Sequence, residues 1–137
     1  MLGKRKIRKF VFELLFGYEF NKELSPINYY NTAFDNFVCE DDENESVKKL
    51  FLGICENISQ IDEALSKHLN GWKASRLSKA TITIIRISAY EMIYADLVPA
   101  ISINEAVEFS KEYGEDGASS FVNGVLNSLA KELKNND

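Results

Sequence analysis

The sequence predicts an all-α fold of six or seven helices, and three observations carry that expectation. Apolar residues recur at three- and four-residue spacing through long windows, which is the period of one helix face. Only two prolines and seven glycines punctuate 137 residues, too few for many short strands and their turns. Hydrophobic residues make up 45% and charged residues 27%, enough to bury a core beneath polar faces. The length suits one domain or two packed halves. The boundary is predicted near Gly71, with an N-terminal helical subdomain over 1–70 and a C-terminal helical subdomain over 71–137.

The first helix is expected from about Gly3 to Phe20, where Ile7, Val11, Leu14, Leu15 and Tyr18 form one stripe. Arg5, Arg8 and Lys9 are predicted to fall away from it, while Phe10, Phe12 and Phe16 widen the apolar side. Ser25-Pro26 has the form of a helix start, with the serine as cap and the proline in the first turn. Tyr30, Ala33, Phe34, Phe37 and Val38 continue that helix, and the acidic run Glu40–Glu45 is predicted to be a loop. From Ser46, Val47, Leu50, Phe51, Ile54, Ile58, Ile61, Leu65 and Leu69 keep helical period, as one helix or as two with a bend near Ser59. Asn70-Gly71 is expected to end it, with Gly71 free to turn left-handed.

Thr81–Ile87 is rich in β-branched residues and has the composition of a buried strand. Ile82, Ile85, Ala89, Met92 and Ile93 hold helical spacing over a longer window, so length favours a buried helix capped by Ser75 or Ser78. Pro99 interrupts the pattern, and Ser102-Ile103-Asn104-Glu105 matches a capping box. The next helix runs to Gly114. After a polar loop, Val122, Val125, Leu126, Leu129 and Leu133 mark the last one.

The chemistry of catalysis is missing from this pattern. His68 is the only histidine, expected at a partly exposed helix end, and Cys39 and Cys55 are the only cysteines, both explained by packing. No phosphate-binding lysine loop, dinucleotide fingerprint or serine elbow occurs, so no catalytic residue, metal, cofactor or small-molecule substrate is expected. No apolar run approaches the roughly 20 residues of a membrane span, and no secretory leader is evident, so the expected location is the cytoplasm.

Charge is distributed unevenly. The net charge is −5, so any affinity for nucleic acid must be local. Lys4, Arg5, Lys6, Arg8 and Lys9 form a basic block that either contacts phosphates or is simply a solvated helix end. Phe121 begins the last helix beside Ser119, Ser120 and Asn123. Pattern alone favours the core for Phe121, but an exposed aromatic there stacks an unpaired base, and Asn123 is suited to a base edge. Gly124 inside a helix implies close approach by another helix or a ligand. Trp72 fits a packing anchor, and Arg86, interrupting an apolar helix, is expected to pair with a carboxylate such as Glu91 or Glu105.

Three blocks then resemble the NusB family in order. Ile85-Arg86-Ile87-Ser88-Ala89-Tyr90-Glu91 followed by Pro99 resembles its LRxAxYE…P signature. Ile103–Lys111, with Tyr113-Gly114, resembles its INEAVELAK block, and Phe121-Val122-Asn123-Gly124-Val125-Leu126 its FVNGVL block. The basic first helix is also similar. The resemblance implies two small helical bundles and no enzymatic activity. It implies a transcription antitermination factor that binds boxA RNA in ribosomal RNA leaders together with NusE, a ribosomal protein of the small subunit. The pair would load onto the RNA polymerase elongation complex with other Nus factors.

Carried over by position, the RNA face implied is Lys4, Arg5, Lys6, Arg8, Phe121 and Asn123, expected to grip the same RNA. Tyr90, Glu91 and Tyr94 are the candidates for the NusE face. In the first helix the chain departs from the family, with Glu13 near the implied RNA face and Phe16 lacking a tyrosine hydroxyl. Two other functions fit a helical chain of this kind. One is a protein–protein interaction module, for which the basic block is dispensable. The other is an accessory RNA-binding domain of a ribosomal RNA methyltransferase, against which the helical pattern fills all 137 residues without an α/β half.

Overall fold

Seven α-helices and no strand occur among the residues that the computed structural model describes, 4–33, 41–69, 71 and 76–135; side chains are described for these except at 4 and 41–43. The helices are α1 (Lys4–Tyr18), α2 (Pro26–Ala33), α3 (Asp41–Glu56), α4 (Ile58–Ser66), α5 (Lys79–Tyr94), α6 (Pro99–Tyr113) and α7 (Ala118–Asn135). The expectations for Phe34, Phe37, Val38, Cys39, Glu40, Trp72 and Ser75 lie outside the described residues. No described helix is long and apolar enough to cross a membrane.

Contacts divide the chain between Asn57 and Ile58, not near Gly71. The helical period from Ser46 to Leu69 breaks at Asn57, close to the bend expected at Ser59. Asn57 Nδ2 donates to Gly53 O at 2.7 Å, so its side chain competes for the carbonyls of the helix end. Beyond the break, α4 packs against α5 and α7 and so belongs with the C-terminal residues.

The first unit packs α1, α2 and α3 pairwise. Val11, Leu14, Phe51 and Ile54 are sealed in its core. Phe51 carries the rings of Tyr18, Tyr29 and Tyr30 at centroid distances of 6.1, 6.2 and 6.1 Å. A side chain at Gly17 would collide with the Tyr29 hydroxyl, so the glycine allows this cluster to close. Ser25 caps α2 as expected, accepting from Asn28 N at 3.3 Å. The predicted acidic loop is instead helical from Asp41, where negative side chains suit the amino end of a helix.

The second unit surrounds α5, which has ten buried residues between Thr81 and Met92. That burial on several faces explains its strand-like composition. Ser78 caps the helix, accepting from Thr81 N at 3.1 Å. Arg86 reaches from α5 to Asp62 on α4 through two 2.8 Å bonds, so its bidentate partner is neither of the carboxylates expected.

The capping box at Ser102 does not form. Pro99 occupies the first turn of α6, where its missing N–H costs nothing, and Ser102 is buried inside the helix. Gly71 has φ +85°, as expected, although α4 has already ended at Ser66.

Candidate nucleic-acid interface

The basic block of α1 separates into two kinds of residue. Arg5, Lys6 and Lys9 are exposed, whereas Arg8 is only 7% exposed. The expectation that Arg8 joins the solvent-facing cations is therefore corrected. Arg8 precedes Val11, Phe12 and Leu15 by three, four and seven residues and shares their buried stripe. Lys4 starts the helix. Glu13 is exposed four residues beyond Lys9, within side-chain reach of the cationic turn. Phe16 is half-buried and packs between the tilted rings of Phe12 and Phe20, with centroids at 5.8 and 5.6 Å.

At the start of α7, Gly117 turns with φ +83°, a conformation open to glycine, and the helix begins at the next residue. Phe121 is half-buried, between the core placement and the open stacking platform that the sequence leaves as alternatives. Asn123 and Gly124 are exposed, and a Cβ built on Gly124 meets nothing within 4 Å. Among the described residues no neighbouring helix explains this glycine, so the close approach of another helix expected there is not seen. Ser120, Asn123, Gly124, Asn127, Ser128 and Lys131 are all exposed at helical spacing, an uncharged polar face ending in a cation.

Of the candidates for protein contact, Tyr94 is 44% exposed and stacks on half-buried Tyr90 at 5.2 Å. Glu91 is not available: it is 7% exposed and accepts from Ser102 Oγ at 3.2 Å. It shares a helix face with buried Ile84, Ile87 and Ser88, which turns it inward. Two exposed apolar side chains not expected from the sequence are Val98 and Ile101, 55% and 50% exposed. Their signal was present, since both flank Pro99 outside any periodic apolar stripe. Val98 also borders a groove of about 620 Å³ with Ile93, Leu97, Leu133, Lys131 and Lys134.

His68 is buried rather than partly exposed, with Ser128 Oγ at 2.7 Å and Glu132 Oε1 at 3.2 Å from its ring nitrogens. Hydrogen bonds from Lys67 and then His68 hold the Glu132 carboxyl below its usual range. Burial pushes the Cys55 thiol up to about 12, which keeps it protonated and unreactive.

The NusB family model matches residues 5–131. The chain is 37% identical over 136 residues to the transcription antitermination protein NusB of Nitratiruptor sp., covering 98% of this chain and 96% of that protein. Among solved structures it superposes on NusB of T. maritima with a TM-score of 0.87 at 30% identity, over 96% of this chain and 92% of the other. It also superposes on a chain from a complex of the antitermination factors NusB and NusE with double-stranded RNA. The TM-score there is 0.81 at 24% identity, over 94% of this chain and 96% of the other.

Proposed function

Because the chain belongs to the NusB family, we propose that it is an RNA-binding transcription antitermination factor that recognises boxA-like single-stranded RNA in ribosomal RNA leaders together with NusE. The observation that carries this function is the family match along residues 5–131, joined to antitermination relatives matched over nearly their whole length. Local geometry supports it in both units. Arg5, Lys6 and Lys9 offer three exposed cations to the phosphate backbone, which a chain of net charge −5 does not offer in general. Phe121 and Asn123 offer a half-buried ring and an exposed amide to an unpaired base. Tyr90 and Tyr94, extended by Val98 and Ile101, offer an apolar surface to NusE, and Glu91 holds α5 to α6 beneath it.

The factor acts by binding and not by catalysis, in the cytoplasm where transcripts emerge. Its assembly with NusE joins the RNA polymerase elongation complex with other Nus factors. An accessory methyltransferase domain is a weaker account, since the Nitratiruptor relative is matched over 96% of its length and has no room for a catalytic half.

The test is affinity for boxA RNA and for a scrambled RNA, with and without NusE, across a salt series. Three phosphate contacts on a single strand give a log–log slope of about −2. Removing Arg5 and Lys6 together brings it toward about −0.7. A flat salt response, or equal affinity for scrambled RNA in the presence of NusE, would refute the function.

A further inference from the structure

Asn127 lies one turn beyond Asn123, and its Nδ2 donates twice to that residue, to the main-chain oxygen at 2.8 Å and to Oδ1 at 3.0 Å. A side-chain amide has two donor hydrogens on nitrogen and one acceptor oxygen, so both hydrogens of Asn127 are committed. With Oδ1 of Asn123 held from the C-terminal side, the Nδ2 group of Asn123 is directed away from Asn127. No hydrogen bond among the described residues engages Asn123 Nδ2 or Asn127 Oδ1. Both side chains are exposed, and open space lies over Gly124 beside them. An unrestrained asparagine presents either its oxygen or its nitrogen to a ligand, because the two ends of the amide have nearly the same shape. Here one orientation is selected before any ligand arrives.

We propose that Asn127 is a positioning residue that fixes the Asn123 amide with its NH2 group outward, so that Asn123 selects a base carrying a carbonyl acceptor and rejects one carrying an exocyclic amine. The proposal rests on Asn123 contacting RNA, as proposed above. Uridine and guanosine present carbonyl oxygens where cytidine and adenosine present amines, so the lock sets which member of each pair binds.

The experiment uses the full chain and boxA RNA in which each uridine is changed singly to cytidine and each guanosine to adenosine. Wild-type protein is expected to lose about three- to tenfold in affinity at one such position, the size of a single exchanged hydrogen bond. Asn127→Ala is expected to bring that ratio toward one while the helical circular dichroism stays unchanged. Asn127→Asp is the decisive variant. Its carboxylate accepts from Asn123 Nδ2, turns Oδ1 outward and reverses the preference toward the amine-bearing base. The added negative charge weakens all the RNAs alike, so the ratio is what is read. If both variants keep the wild-type ratio while Asn123→Ala abolishes it, Asn123 reads the base without help and the positioning role is overturned. If Asn123→Ala also leaves the ratio unchanged, the contact itself is absent and the RNA face assigned to α7 falls with it.

Discussion

Arg5 and Arg8 belong to one block in the sequence, yet packing gives them different work. Arg5 is exposed at the start of α1, whereas Arg8 lies among the residues that anchor the helix. Arg8→Ala is therefore expected to destabilise the protein by about 1–3 kcal/mol through lost packing and polar contacts. Arg5→Ala should change stability by less than about 0.5 kcal/mol and act on RNA affinity instead. Urea denaturation beside a binding titration separates the two effects. Equal stability losses would mean that Arg8 is not anchored as described.

Glu115 has its own signature at the same scale. Ser78 and Thr81 donate to its carboxylate, and the Ser78 bond chiefly holds it below the usual 4.5. A carboxyl lowered on folding contributes its stability in full above 4.5 and loses it as pH falls below that value. Wild type and Glu115→Gln should thus differ in urea midpoint near neutral pH and converge in acid; a difference that grows in acid would contradict the assignment.

At the level of the helix, Gly124 poses the sharpest question. Glycine inside an exposed helix costs about 0.5–1 kcal/mol relative to alanine, and nothing within 4 Å of an added Cβ resists the exchange. Gly124→Ala should therefore raise stability by about that amount and lower RNA affinity, because the methyl group occupies the surface beside Asn123. A gain in stability with unchanged RNA binding would leave the glycine without a role in recognition.

The helices themselves were legible where period and length agreed, as in α1, α5 and α7, and where a serine stood at a true start, as at Ser25 and Ser78. Two helix starts differ from the expectation for the same reason. The Ser102–Glu105 pattern is a valid cap only if a helix begins there, and whether Pro99 ends one helix or begins the next is decided by packing. Likewise Asp41–Glu45 lacks apolar residues but has charge suited to a first turn. Among site residues, the exposure of Arg5 and Lys9 followed from helical spacing. The burial of Arg8 and Glu91 did not, since each is a charged residue placed on an apolar stripe by its neighbours.

For the whole molecule, the question is which segment completes which core. A glycine with positive φ at 71 has the form of a domain joint, but α4 and the turn after it face the C-terminal helices. Ile61, Leu65 and Leu69 are 0%, 1% and 3% exposed. Asp62 grips Arg86, and His68 bonds Ser128 on α7. Burying three aliphatic side chains contributes about 5–9 kcal/mol at about 1.5–3 kcal/mol each. The net stability of a unit of this size is about 4–12 kcal/mol, so losing α4 removes most or all of it. A fragment of residues 58–137 should accordingly melt cooperatively by circular dichroism, while one of residues 71–137 should not, because it leaves Arg86 without Asp62 and opens the α5–α7 face. Cooperative melting of the shorter fragment at a similar temperature would move the joint back to Gly71. It would also make α4 a linker rather than part of the surface that carries the α7 contacts.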